Sequence, residues 1–306
     1  MPKRILILSF LKDYHALAIQ ALLQKQGDDA DIMDAADFPS ALPFAHQGPD
    51  FTDVRLNGRP LSDYHSIWWR RVHYPKASPD TRDPEEARFA VRESRDALWG
   101  ALLASGLPIY NSPILEQTAG YKPYQLKVAR ACGLEIPDTL ITNTAEEVLA
   151  FRGKHSRLIY KSFGPTDLMV MDTRPLRDED LPDLWRLKYG PAIFQQYIPR
   201  GREYRVTLVE DDVFATEVHI QQPVAEYDWR NDLSYQLTPA RLPEPIADKL
   251  RRLRRALGLH SGSIDLREAP DGTVYFLEIN PSGQFLFLDI RAGTDVGSRF
   301  CRMLVQ

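Results

Sequence analysis

Two short apolar runs near the C-terminal end, residues 263–266 (Ser-Ile-Asp-Leu) and 274–279 (Val-Tyr-Phe-Leu-Glu-Ile), constrain this chain more than any other stretch. They flank the turn Pro270-Asp271-Gly272, and both have strand chemistry. Each run carries side-chain oxygen: Asp265 on the first, Glu278 and the adjoining Asn280 on the second. Glu278 and Asn280 are two residues apart, so they leave the same face of an extended chain, and a hairpin brings Asp265 across to that face. Carboxylates in so apolar a context are costly to bury unpaired. Three hard oxygen donors without His or Cys suit magnesium rather than zinc. The competing reading is a strand pair with a polar edge, and the hairpin alone leaves both open.

With 306 residues, 43% of them hydrophobic, the chain can bury a sizeable core and is expected to divide into two or three domains. A net charge of −4 gives no global positive field for nucleic acid. Cys132 and Cys301 form neither a disulfide framework nor a metal pair, which fits a reducing, cytoplasmic setting. The apolar run 5–11 meets Lys12 and Asp13 without a cleavage-type site and reads as a first core strand. No stretch approaches membrane-span length, so no membrane partner is expected.

A strand from Arg4, a helix closed by Gly27 and a strand at 31–33 form a βαβ unit, whose first turn, 9–13, has no glycine to cradle a dinucleotide. Residues 35–63 read as loop or short hairpin, and 66–69 as a strand ending in Arg70-Arg71. Those arginines either meet an anion of the substrate or bond the next loop. Asp83-Pro84-Glu85-Glu86 opens a helix that ends at Gly106, with Ala87, Val91, Ser94, Leu98, Ala101 and Leu102 on its core face. Lys122 stands at the head of the next helix, and Lys161 lies inside a strand at 157–162, where it either snorkels or serves an anion. A further strand is expected at 168–171, strands at 192–198, 203–209 and 213–219, and an irregular segment at 221–242. The helix 245–257 has an apolar stripe, and its arginines read as a solvated face rather than a nucleic-acid patch.

The order of these pieces resembles the ATP-grasp superfamily: a Lys before a helix, a Lys in a strand, a strand ending Gln-Gln-Tyr-Ile, then Glu-Tyr-Arg, an Asp-Trp-Arg loop and the closing Asp … Glu-x-Asn hairpin. The resemblance covers roughly residues 111–300. It implies an α/β (α+β grasp) chain: an N-terminal pre-ATP-grasp α/β domain over 1–110, a central ATP-grasp subdomain over 111–190, and a C-terminal subdomain over 191–306 that bears the metal site. The two grasp subdomains would clasp ATP between antiparallel sheets.

Carried over position by position, the resemblance makes Lys161 and Lys122 phosphate ligands, Gln196 and Tyr197 the hinge whose backbone holds adenine, and Glu203 the acid that bonds the ribose. Arg205 and Arg230 would stand near the transferring phosphate with Asn231 beside them, and Asp265, Glu278 and Asn280 would hold Mg2+. Arg70, Arg71 and Asp228 are candidate substrate contacts. The loop 162–167 has only Gly164 where the family has a glycine-rich cover. The implied chemistry passes the γ-phosphoryl group of ATP to a carboxylate, giving an acyl phosphate that an amine or hydroxyl then attacks. Within the superfamily, Trp68-Trp69-Arg70-Arg71, Asp228-Trp229-Arg230 and Asn280-Pro281-Ser282-Gly283-Gln284-Phe285 look most like the microviridin or graspetide macrocyclases. That implies a precursor peptide, leader plus core, as partner. Homodimerisation is common among such relatives, although no stretch here marks a dimer surface. The alternatives are a ligase that adds glutamate or another amino acid to a C-terminus, and a non-catalytic ATP-binding module.

Overall fold

The computed structural model describes residues 2–48, 53–164 and 173–306. At the N-terminal end, Arg4–Leu8 lies between Asp29–Met33 and Ser66–Trp69 in a parallel sheet that Ile109–Tyr110 extends. Parallel strands need crossovers, and the helices Tyr14–Lys25 and Pro84–Ala104 supply two of them. Asp13 caps the first by accepting from the His15 N–H at 2.9 Å. Asp83 caps the second by accepting from the N–H groups of Glu85 and Glu86. Ser94, Leu98, Ala101 and Leu102 are buried as their spacing requires, whereas Ala87 and Val91 are half-buried on helical turns that are otherwise mostly exposed. Residues 35–63 include more structure than a loop: Phe44–Gln47, Asp53–Leu56 and Arg59–Pro60 form a small antiparallel sheet.

The central sheet runs Arg174–Pro175, Leu158–Lys161, Ala192–Gln196, Thr139–Thr142, antiparallel throughout. The strand expected at 168–171, and residues 165–167 of the loop before it, lie outside the described residues. Ala192–Gln196, which follows the division expected at residue 190, pairs with both central neighbours. The polar stretch before it is mainly the 3-10 helix Asp178–Tyr189, whose Leu184 packs with Phe194, Leu158 and Val148.

The C-terminal sheet is ordered Gln236–Ala240, Asp212–His219, Arg202–Val209, Ser261–Glu268, Val274–Asn280, again antiparallel. The first of these emerges from the segment expected to be irregular. It carries Pro239, which an edge strand tolerates. One face of the sheet (Tyr204, Val206, Leu208, Ile264, Leu266, Phe276, Ile279) packs on Leu250, Leu253 and Leu257 of helix Glu244–Ala256 and on Leu126 and Ala129 of helix Lys122–Ala131. Residues 203, 205 and 207 and their partners 267, 265 and 263 fall by alternation on the other face. A bulge sharpens this division: Asp265 pairs with Glu278 but Leu266 with Phe276, so Leu277 is the extra residue. Unbroken alternation would set Phe276 on the face of Glu278. The bulge lets Phe276 and Ile279 both enter the core while Glu278 and Asn280 keep the polar side.

Two C-terminal helices, Leu286–Ala292 and Val296–Leu304, were not foreseen in the sequence. Phe300, Cys301, Met303 and Leu304 share a core with Ile5, Ile7, Ile19 and Trp68, and the Ser66 hydroxyl donates to the Leu304 carbonyl at 2.7 Å. Residues 1–110 therefore share one core with the C-terminal helices, while the opposite face of their sheet (Leu6, Leu8, Ile67, Trp69) closes a second core with Leu98, Ala101 and Leu102. Of the arginines of helix Glu244–Ala256, Arg252 and Arg255 are exposed as expected, and Arg254 departs from that face. Arg254 is buried and donates to the Leu259 carbonyl at 2.6 Å and to Asp211 at 3.0 Å, and Arg255 donates to Asp211 at 2.6 Å. Both hold the turn at 210–211, Arg254 from within the protein and Arg255 from its surface. Among the described residues no helix is long and apolar enough to cross a membrane.

Candidate active site

Antiparallel pairing sets Arg205, Asp265 and Glu278 side by side on three neighbouring strands. One rung further along the same face stand Thr207, Ser263 and Asn280. Carboxylates directly opposite across a ladder repel by about 3 kcal/mol at ~5 Å and an effective dielectric of ~20. The surrounding cations offset this. Arg205 Nη1 donates to Asp265 Oδ1 at 2.9 Å, and Lys122 Nζ donates to Glu278 Oε2 at 2.6 Å. Lys122 reaches the site because its helix packs beneath the hairpin.

Lys161 occupies the face of its strand opposite Leu158 and Tyr160, which pack in the central core. Burial pushes its ammonium below the ordinary lysine value, and Lys122 and Arg230 add to the push, while Glu278 and Asp265 oppose it. Burial alone would raise Glu278. The charges of Lys122 and Lys161, the Lys122 hydrogen bond and the charge of Arg230 outweigh it and hold the carboxyl below its usual range. Lys161 therefore lies in the field of both carboxylates rather than snorkelling away from them.

Arg230 is exposed and gripped at its root. Its Nε and Nη2 donate to the two oxygens of buried Asp228 at 2.8 and 2.6 Å. Burial pushes the Asp228 carboxyl up, but these twin bonds hold it below the ordinary range. The Asp228 carboxylate also accepts from the Arg230 N–H, and the Asp228 carbonyl accepts from the N–H of half-buried Asn231. Both of its carboxylate oxygens thus aim Arg230. Arg70 is likewise bonded within the protein. Only 2% exposed, it donates to Asp13 at 3.2 Å and to the carbonyls of Ser282 and Gly283 at 2.6 and 3.1 Å, tying the first strand layer to the loop after the hairpin. Arg71 beside it is exposed.

At the hinge, the N–H groups of Gln196 and Tyr197 are already used, donating to the carbonyls of Asp138 and Arg157 at 2.9 and 3.0 Å. Residues 196–197 thus offer acceptors rather than donors. The Tyr197 hydroxyl donates to Glu226 at 2.8 Å, and the Arg157 guanidinium lies 4.1 Å from the Tyr197 ring centre. Glu203 is buried between Arg200, at 2.8 Å, and Arg267, at 3.3 Å. Burial raises its pKa against the pull of both arginines. These partners were missed in the sequence, although Arg267 stands two residues from Asp265 and so shares its face.

Asp265, Glu278 and Asn280 come together, with Asn280 exposed at the end of its strand. Among the described residues no three His, Cys, Asp or Glu side chains form a metal cluster; the set here is two carboxylates and an amide. That suits Mg2+, which commonly takes one or two carboxylates and fills its remaining positions with water and phosphate oxygens. Around it stand Lys122, Lys161, Arg205 and Arg230, an array of cations matched to a polyphosphate.

No family model matches this sequence, and no curated protein does. Solved structures do. The macrocyclase MdnC of Microcystis aeruginosa, bound to its precursor peptide MdnA, superposes with a TM-score of 0.89 at 28% identity, covering 99% of either chain. A RiPP-associated ATP-grasp ligase of Chryseobacterium gregarium, in complex with ADP and a leader and core peptide, gives 0.88 at 26%, over 99% of this chain and 96% of that one. The ATP-grasp ligase PsnB, with minimal precursor, Mg and ADP, gives 0.84 at 25%, over 99% and 96%. This chain belongs to the ATP-grasp superfamily. It is an ATP-using ligase by that membership, and its likeness extends from end to end, including the N-terminal layer. A RimK domain ATP-grasp protein of Sphaerobacter thermophilus shares the ATP-grasp fold at a TM-score of 0.62 and 15% identity.

Proposed function

We propose that this ATP-grasp ligase activates side-chain carboxylates of a ribosomally made precursor peptide and joins them to hydroxyl or amine side chains of the same peptide. One observation carries the proposal: the Arg205–Asp265–Glu278 rung with Lys122, Lys161 and Arg230 gathered about it, on a fold that matches precursor-peptide ligases along its whole length. Asp265, Glu278 and Asn280 would hold Mg2+, which supplies charge neutralisation to the phosphates. Lys122 and Lys161 would bind phosphate oxygens, and Arg230, held by Asp228, would stabilise charge on the group in flight. Arg205 would keep Asp265 aimed. Gln196 and Tyr197 would meet adenine through backbone acceptors, Glu203 the ribose, and Asn231 and Arg71 would border the nucleotide and the peptide.

The reaction needs positioning more than a protein nucleophile. A peptide carboxylate oxygen attacks the γ-phosphorus and ADP leaves. A side-chain hydroxyl or amine then attacks the acyl phosphate, phosphate departs, and the nucleophile loses its proton. The test is to mix the purified chain with ATP, Mg2+ and the small peptides encoded beside its gene. The expected outcome is peptide-dependent ADP release and a product lighter by one water per linkage in intact-mass spectra. With free amino acids added, a product heavier by one amino-acid residue would instead make it an amino-acid ligase. No mass change with any such peptide would remove the cross-linking assignment.

A further inference from the structure

Gln125 belongs to no part of the site described above, yet it is wholly buried and fully bonded. Its Oε1 accepts from the Ile279 N–H at 3.0 Å, and its Nε2 donates to the carbonyls of Ile279 and Ala119, each at 2.8 Å. An amide side chain offers one acceptor and two N–H donors, and all are used here. Ile279 is the residue between Glu278 and Asn280, on the outermost strand of the C-terminal sheet. Strand residues alternate in the direction of their backbone groups, and Ile279 turns both of its own outward. On a bare edge those groups would go unpaired. Gln125 supplies the donor and acceptor that a further strand would. At the other end of the same strand the Phe276 N–H donates to the Glu135 carbonyl at 2.8 Å. The edge is pinned at its two ends, and the pin between two metal-side oxygens is a single side chain.

Helical spacing makes the pin specific. Lys122 and Gln125 are three residues apart, on one face of helix Lys122–Ala131. The first bonds the Glu278 side chain and the second the backbone of the next residue. One helix thus fixes the strand in two ways at the place where Glu278 and Asn280 diverge from it. We infer that Gln125 is a positioning residue for the Mg2+ ligands, holding the Glu278–Asn280 backbone in register so that both oxygens present together. The inference rests on the metal reading given under the proposed function.

The experiment titrates Mg2+ into the full chain with a fluorescent ATP analogue and no peptide. Wild type is compared with Gln125→Met, which fills the space but makes no hydrogen bond, and with Leu126→Ala, a core truncation on the same helix as a control for lost stability. Melting temperatures are read in parallel, together with hydrogen exchange of the 278–281 amides. The expected result is that Gln125→Met raises the Mg2+ concentration for half-maximal nucleotide binding by about 10-fold or more. Exchange at Ile279 should speed up, while Leu126→Ala lowers the melting temperature and leaves the Mg2+ midpoint in place. Equal midpoints in Gln125→Met and wild type, or equal shifts in Gln125→Met and Leu126→Ala, would overturn the positioning role and leave the metal site standing. Nucleotide binding indifferent to Mg2+ in wild type would overturn both.

Discussion

Glu278 shows how one side chain can be the anion that two lysines require and an oxygen that a metal requires. Its Oε2 faces Lys122, and Lys161 lies within its field. Replacing it by glutamine leaves two ammonium groups in one another's field with one carboxylate fewer. Glu278→Gln should therefore lower peptide-dependent ADP release by about 10²–10³, the scale for losing one charge-stabilising group, and should also lower the melting temperature. The two losses have different causes and separate in a double-mutant cycle. Adding Lys122→Met to Glu278→Gln should recover melting temperature by relieving the lysine pair, and should recover no ADP release. Recovery of both together would mean that Glu278 acts only as the partner of Lys122. Arg70 marks the opposite case at this scale. Two adjacent arginines at a strand end look alike in sequence, and only the fold separates the buried Arg70 from the exposed Arg71.

At the scale of elements, the loop after the hairpin is packed as tightly as a core. A Cβ built on Gly283 would lie 2.3 Å from both Cβ and Oγ of Ser263 and 3.1 Å from the Asn280 carbonyl oxygen. Ser263 is itself buried, with its Oγ 3.3 Å from the Thr207 hydroxyl, so it has nowhere to turn. Gly283→Ala should cost about 1–3 kcal/mol in chemical denaturation, as overpacking does, and Ser263→Gly in the same chain should return most of it. An additive double mutant would show that the contact is not the cause. Such tightness also explains what could be read before folding. The hairpin, its three oxygens and the Lys122 helix were legible because strand alternation, turn chemistry and capping are local. The edge strand Gln236–Ala240, the bulge at Leu277 and the helices Leu286–Ala292 and Val296–Leu304 were not. Their form depends on distant partners: the neighbouring strand Asp212–His219, the shared core of Phe276 and Ile279, and the apolar face of the first sheet. The Gln125 pin was hidden for the same reason, since it joins residues 154 positions apart.

Across the whole molecule, the N-terminal layer is joined to the hairpin loop through groups that titrate in opposite senses. His15 Nε2 accepts from the N–H groups of Phe285 and Leu286 at 3.0 and 3.1 Å, which requires that nitrogen to be unprotonated. Burial pushes His15 below its ordinary value of 6.5; Asp13 pulls it up, and Arg70 and Arg71 push it further down. The unfolded chain then takes up this proton first, so the contribution of His15 is complete above pH 6.5 and is lost as pH falls towards the folded-state value. Glu116, bonded by the Ser282 hydroxyl beside Arg70, goes the other way: burial pushes it up to about 7 against that hydrogen bond and the charge of Arg70. The folded chain binds that proton first, so its contribution grows as pH falls from about 7 towards 4.5. Each slope is bounded by about 1.4 kcal/mol per pH unit, and in wild type they offset one another. His65 is lowered as well, by burial and by Lys3, so the comparison has to be made variant against wild type. Denaturation free energies measured from pH 7.5 to 5 should therefore fall more steeply on acidification in Glu116→Gln than in wild type, and less steeply in His15→Gln. If both variants followed the wild-type slope, the domain junction would be insensitive to protons, and the neutral His15 acceptor would have to be abandoned.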